Sequence, residues 1–206
     1  MAVETMFIDP SRCIGCRACE AACRECDSHK GESMIMVDFV ERSWNVATQP
    51  TLCMHCEDPL APCAQVCPAQ AILVSADGVV QQAEPSRCIG CENCVYACPF
   101  GVPKFDRAAR LMKKCNLCYD RIVQDLKPWC AQACPTQAIW YGTYEEFTTQ
   151  RRGHAVRETV FGTQPVRTRV FHVLPAEVHK LDVTALLREA EAEVGGLPAR
   201  EEAWVL

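Results

Sequence analysis

The chain has 206 residues and a formal charge of −5, with 49% hydrophobic residues and 17 cysteines. The acidic balance argues against nucleic-acid binding, which needs a basic surface, and no run of 18 apolar residues is present, so no transmembrane helix is expected. Cysteine at this density marks a disulfide scaffold or a metal-rich protein; the odd count, and the absence of a basic n-region, an apolar h-region or a twin arginine in "MAVETMFIDPSRC", argue against a secreted, stapled chain.

In chain order, the lead-in "TMFIDPSRC" brings a short apolar run to Cys13, Cys16, Cys19 and Cys23, spaced C-x2-C-x2-C-x3-C and running into "RACEAACREC", which reads as a helix. Cys53, Cys56, Cys63 and Cys67 then read C-x2-C-x6-C-x3-C-P. Ala71–Ser75 is β-prone, Asp77-Gly78 is a turn signal and Val79–Gln82 is a second strand, so a hairpin is expected. It leads to Cys88, Cys91, Cys94 and Cys98, which repeat the first spacing and close on Pro99. "PSRCIGC" stands at both Pro10–Cys16 and Pro85–Cys91, with glycine where a tight loop is needed. Cys115, Cys118, Cys130 and Cys134 read C-x2-C-x11-C-x3-C-P and are followed by the apolar run "AIWYGT". Beyond them Tyr144–Val160 reads as a helix and "RTRVFHV" at 167–173 as a strand. "DVTALLREAEAEVGG" reads as a helix with Asp182 as N-cap and Gly195 past its end.

All four groups begin with a two-residue gap and end with a three-residue gap. Two-residue gaps let a loop wrap three thiolates around one cubane, and a fourth cysteine three residues on, usually followed by proline, ligates the other cluster of a pair. Proline suits that position because it ends one conformation and fixes the next. Tetrahedral zinc sites use two C-x2-C knuckles set well apart and do not account for C-x2-C-x2-C-x3-C. Sixteen of the 17 cysteines therefore predict four [4Fe–4S] clusters, with iron as the metal. Each such site adds roughly −2 of charge.

The connecting segments suggest which groups pair. The hairpin between the second and third groups is complete, so those two form one contiguous unit. The runs before the first group and after the fourth are of the kind that pair as neighbouring strands. An α+β fold is expected, in which one two-cluster, bacterial ferredoxin-like unit is inserted in another: residues 1–48 with 104–143 form the outer unit, 49–103 the inner, and 144–206 a C-terminal extension that docks on a partner. The expected ligand sets are Cys13, Cys16, Cys19 with Cys134; Cys115, Cys118, Cys130 with Cys23; Cys53, Cys56, Cys63 with Cys98; and Cys88, Cys91, Cys94 with Cys67.

The phrases "CIGCRACEAAC", "HCEDPLAPCAQVCPAQAI", "CIGCENCVYACPFGVPKFD" and "KKCNLCYDRI…CAQACPTQAIWYGT" together resemble the four-cluster iron–sulfur subunits of molybdenum or tungsten bis-pterin oxidoreductases, the dimethyl sulfoxide reductase superfamily. The wording of the last two looks most like formate dehydrogenase β subunits. Two departures stand out: six residues separate Cys56 from Cys63, where relatives often have fewer, and the membrane helix that anchors some formate dehydrogenase β subunits has no counterpart at the C-terminus. The resemblance implies an electron-transfer subunit between a molybdenum- or tungsten-pterin catalytic subunit and a second redox partner. Near-identical motifs serve the polyferredoxin arms of hydrogenase and formate-hydrogenlyase assemblies, so that reading stays open. The residues agree with a wire: four cysteines saturate each cubane, which carries single electrons, and no GxGxxG after a strand, GxxxxGK[ST] or GxSxG points to a nucleotide, flavin or nucleophile site. No catalytic residue is expected in this chain. Without a visible export signal the expected compartment is the cytoplasm; the resemblance adds that such subunits are also exported folded beside a signal-bearing partner.

Beside the ligands, Cys26 reads as a spare buried thiol, with a substitute ligand as the sharper alternative. His29 and His55 read as surface or supporting residues. Arg12, Arg87, Lys104, Lys113 and Lys114 either offset cluster charge or form a solvated face. Trp44 and Trp129 shield clusters or simply pack.

Overall fold

β-Branched and aromatic runs at both ends of the cysteine-bearing segment build the central sheet. The computed structural model describes residues 4–41, 46–151, 153–174 and 181–183. Through the first two cysteine groups the elements are β1 (Thr5–Ile8), α1 (Ala18–Cys23), β2 (Met36–Glu41), β3 (Val46–Thr51), β4 (Cys56–Asp58) and α2 (Pro62–Gln65). There follow β5 (Ile72–Val74), β6 (Val80–Ala83), α3 (Asn93–Tyr96), β7 (Lys104–Asp106), β8 (Leu111–Lys113), α4 (Tyr119–Ile122) and α5 (Trp129–Ala133). The chain continues through β9 (Ile139–Gly142), α6 (Tyr144–Gln150), β10 (His154–Phe161), β11 (Gln164–Leu174) and β12 (Leu181–Asp182).

β1 and β9 are buried along their whole lengths and pair antiparallel, with Phe7 opposite Trp140 and Ile8 opposite Ile139. The two apolar flanks of the cysteine-bearing region thus close on each other. β11 runs parallel to β1, pairs antiparallel with β10, and through Arg167 and Thr168 also with β4. The C-terminal segment is therefore woven into the sheet. Three two-stranded ribbons stand outside it: β2–β3, β5–β6 and β7–β8. The β5–β6 ribbon is the expected hairpin, with Gly78 at φ +83 in its turn.

One expected element is shorter than its sequence suggested. The helix read over Tyr144–Val160 stops at Gln150, and His154–Phe161 is strand. Thr143 and Glu146 form a reciprocal capping box that starts α6. "HAVRETVF" carries β-branched Val156, Thr159 and Val160 and finds an eleven-residue partner in β11. The helix expected from Asp182 lies outside the described residues, as does Trp44.

The helices are short, seven residues at most among those described, and helices of this length are marginal by themselves. What they pack on holds them. Cys19 and Cys23 of α1, Cys115 and Cys130 share one core with Met6, Ile8, Leu52 and Val170. Cys63 and Cys94 share a second with Ile72, Val80 and Met112. A third is aromatic: the Phe7 ring stacks on Phe147 at 4.2 Å between centroids and meets Trp140 edge-on at 5.3 Å. No helix among the described residues is long and apolar enough to cross a membrane.

Candidate metal centres

Each cysteine group starts from the same backbone shape. In the four C-x-x-C turns the residue before the second cysteine has positive φ: Gly15 (+67), His55 (+48), Gly90 (+69) and Leu117 (+57). Glycine takes that region freely, and other L-residues do so at a cost of roughly 1–2 kcal/mol. The repeated "PSRCIGC" is therefore the unstrained form of a turn that the other two groups make with histidine and leucine. The exits repeat as well: three groups leave through C-P-x-Q or C-P-x-G with the last residue left-handed, at Gln70, Gly101 and Gln137. Cys23-Arg24-Glu25-Cys26 departs from this exit and carries a fifth cysteine instead.

Eight of the sixteen predicted ligands line two apolar cavities, and the other eight lie beside one another in two groups. One cavity is lined by Cys13, Cys16, Cys19 and Cys134, closed by Ile14 and Ile139. Another is lined by Cys67, Cys88, Cys91 and Cys94, closed by Ile72 and Met112. Cys56 has Cys53, Cys98 and Cys63 as its thiol neighbours. Cys115 lies beside Cys23, and Cys130 beside both of these, while Cys118 lies beside Cys130 and Cys115. Three further proximities link one set to the next: Cys130 to Cys19, Cys115 to Cys53, and Cys63 to Cys94.

Burial is severe for most of these sulfurs. It pushes the Cys19, Cys56, Cys63 and Cys115 thiols up to about 12, and Cys94 to about 11, with neighbouring cysteines adding to the effect. Burial raises Cys98 and Cys130 as well. A thiol so placed ionises only beside a strong positive charge, which a coordinated metal core supplies. Among the described residues no three His, Cys, Asp or Glu side chains converge on a single-ion position; two of the cysteine sets line cavities instead. Main-chain amides already face several sulfurs: Met34 donates to Cys23 at 3.3 Å, Ala71 to Cys67 at 3.3 Å and Leu117 to Cys115 at 3.4 Å. Donor set, apolar walls and N–H groups aimed at sulfur all suit [4Fe–4S] cores.

The neighbouring residues fall out differently from one another. His29 is buried with Nε2 3.2 Å from Cys23 Sγ; its Nδ1 lies 3.1 Å from Gln82 Nε2, whose amide also donates to the Ser28 carbonyl. That contact leaves the proton on Nε2, so His29 donates to the sulfur. His55 is wholly buried, its Nδ1 accepting from the Val80 amide at 3.0 Å, and burial holds it well below the usual histidine range, with Lys114 and Arg169 adding to this. Cys26 is also wholly buried, 3.2 Å from Ser28 Oγ and 3.5 Å from Asp120 Oδ1. Its hydrogen bond with Cys118 pushes the Cys118 thiol up and holds Cys26 down. Arg12 donates to the Thr136 carbonyl, Lys104 to that of Ser33, and Lys113 bridges Asp106 and Glu32. Arg121 stacks on Trp129 at 3.7 Å.

Lys114 is the residue that sequence reasoning weighed least well. It is 0% exposed, so the solvated-face reading fails for it. A signal was present: Met112 and Lys114 are two apart on an extended run, and side chains two apart share a face.

A family model described as a 4Fe-4S dicluster domain matches residues 44–144, and one described as a 4Fe-4S binding domain matches residues 4–25. The chain is similar to the thiosulfate reductase electron transfer subunit of Salmonella typhi, at 40% identity over 71% of this chain and 79% of that one. It is similar to the B subunit of the anaerobic dimethyl sulfoxide reductase of Escherichia coli (strain K12), at 37% identity over 68% of this chain and 73% of that one. It is 37% identical to the iron–sulfur subunit of the nitrate-inducible formate dehydrogenase of the same organism, over 68% of this chain but only 54% of that longer one.

Proposed function

This chain belongs to the family of [4Fe–4S] electron-transfer subunits of molybdenum oxidoreductases, and on that premise we propose how it carries its electrons. Four clusters are held by the sets Cys13/Cys16/Cys19/Cys134, Cys23/Cys115/Cys118/Cys130, Cys53/Cys56/Cys63/Cys98 and Cys67/Cys88/Cys91/Cys94, in that order along one path. The first two sets belong to an outer ferredoxin-like unit (1–48 with 104–143) into which the inner unit (49–103) is inserted. The observation that carries this reading is the cavity shared by Cys13, Cys16, Cys19 and Cys134, residues from opposite ends of the cysteine-bearing region. The β1–β9 pairing, which holds those ends together, supports it.

Bound clusters supply one-electron redox chemistry. The chain's own residues do the rest: sixteen cysteines fix the positions, the buried Ile139, Ile72 and Met112 exclude water, and the amides of Met34, Ala71 and Leu117 with His29 donate to sulfur, which favours the more negative, reduced state. A pterin-metal catalytic subunit, formate dehydrogenase-like by the wording of the third and fourth cysteine groups, stands at one end and a second redox partner at the other. The compartment that fits is the cytoplasm. The segment from residue 144 also contributes to partner docking.

Cys134→Ser and Cys23→Ser test the pairing in the purified holoprotein. Each is expected to disturb a different cluster signal in electron paramagnetic resonance spectra; loss of one and the same signal in both variants sinks the crossover. Co-purification with metal analysis identifies the partner. Molybdenum or tungsten is expected, whereas nickel would turn the reading toward a hydrogenase arm.

A further inference from the structure

Lys114 directly follows β8, and its Nζ has left water entirely. The ammonium donates to the Val80 carbonyl at 2.5 Å and the Cys115 carbonyl at 2.8 Å, with Cys53 Sγ at 3.5 Å. No carboxylate pairs with it among the described residues. Its neighbour Lys113 shows the ordinary arrangement, turned outward between Asp106 and Glu32. Among the described residues the other side chains around Lys114 offer no carboxylate. Burial holds His55 well below the usual histidine range. Arg169, a second buried cation close to His55, spends its guanidinium on the carbonyls of Asp77 and Glu4. The remaining neighbours are the thiols of Cys53, Cys63 and Cys115.

An ammonium this deep is retained only where a compensating negative charge faces it. Cys53 belongs to one proposed ligand set and Cys115 to the next, so among the described residues the anions within its reach are two adjacent thiolate-ligated clusters. We infer that Lys114 is the shared counter-charge of the two middle clusters, and that its ammonium sets their reduction potentials jointly. This rests on the ligand sets proposed above. Reduction adds one electron, received from the neighbouring cluster, to the iron–sulfur core; no bond is made or broken. A fixed positive charge favours the more negative product, and with no carboxylate to cancel it the full charge acts on both clusters. The effect on the outermost clusters falls off with distance.

Potentiometric titration of the holoprotein, followed by electron paramagnetic resonance, tests this with K114Q, K114M and K114R. In K114Q and K114M both middle clusters are expected to become harder to reduce by at least tenfold in equilibrium constant, about 59 mV for a one-electron couple. The clusters of Cys13 and Cys91 should stay close to their original values, and K114R should keep all four. Unchanged potentials in K114Q, a shift confined to one cluster, or an equal shift in all four would overturn the proposal. Should K114Q and K114M lose iron, K114R decides: retention supports a requirement for charge, and loss refutes it. Failure of the ligand sets themselves is read separately, from Cys134→Ser and Cys23→Ser in the background with Lys114 intact.

Discussion

Gly15 shows how tightly one residue is tied to one centre. At φ +67 it occupies the region that favours glycine, and an added Cβ would meet Phe39 Cε1 and Thr48 Cγ2 at 3.0 Å each. Gly15→Ala therefore combines backbone strain of roughly 1–2 kcal/mol with a push against the β2–β3 ribbon. The expected result is a weakened or lost signal from the cluster at Cys13, Cys16 and Cys19 with the other signals kept, read by electron paramagnetic resonance; an unaltered spectrum would count against that role for the turn. His172 offers a second residue-scale prediction, away from the cysteines. Burial holds it down to about 4, against an ordinary 6.5. Its charged form is disfavoured in the folded state, so between those values the unfolded chain binds more protons and stability rises with pH. The contribution is complete above pH 6.5 and is lost as pH falls toward 4, a difference of about 3 kcal/mol. H172Q should flatten the denaturant midpoint against pH over that window; an unchanged slope would show that other groups set it.

At the scale of elements, the segment after Thr143 is the instructive case. The start of α6 at Tyr144 was readable, and Thr143 and Glu146 fix it with a capping box confined to four consecutive residues. The end of α6 was not, because what competes with helix over 154–161 is pairing with β11, a partner that sequence periodicity does not display. For the same reason the flanks Thr5–Ile8 and Ile139–Gly142 were legible as strands and as neighbours, since both are short, apolar and β-branched or aromatic, whereas the insertion of β11 beside β1 and β4 was invisible. Cysteine spacing marked the candidate ligands because it is local; the burial of Lys114 and His55 depends on elements far away in the chain. Two expectations follow. Thr143→Ala removes one capping hydrogen bond and should lower stability by about 1 kcal/mol, measured by thermal or denaturant unfolding. Truncation after Thr143 removes β10, β11 and the Phe147–Phe7 stack together, so the shortened chain should fail to accumulate as soluble, iron-loaded protein. A stable truncated holoprotein would show that the extension is a cap alone.

At the scale of the molecule, the proximities between cysteine sets form a chain with no branch: Cys19 to Cys130, Cys115 to Cys53, Cys63 to Cys94. The two terminal sets are also the ones that reach the surface. Cys16 and Cys91 are exposed, as are Ile14 at 65% and Ile89 at 60% beside them, while every cysteine of the Cys23/Cys115/Cys118/Cys130 set is buried. If the proposed sets are right, an unbranched relay with accessible ends makes a prediction that a cluster store does not. Cys56→Ala, in the complex assembled with its catalytic partner, should interrupt transfer at the third set. Substrate added to that complex is then expected to reduce only the clusters on the partner's side of the break, as seen by freeze-quenched electron paramagnetic resonance. The clusters beyond it should still be reduced by a small reductant in solution, because an exposed terminal cysteine marks an entry at each end. If substrate reduced every remaining cluster at the unmodified rate, electrons would be bypassing the third set, and the linear order would be wrong.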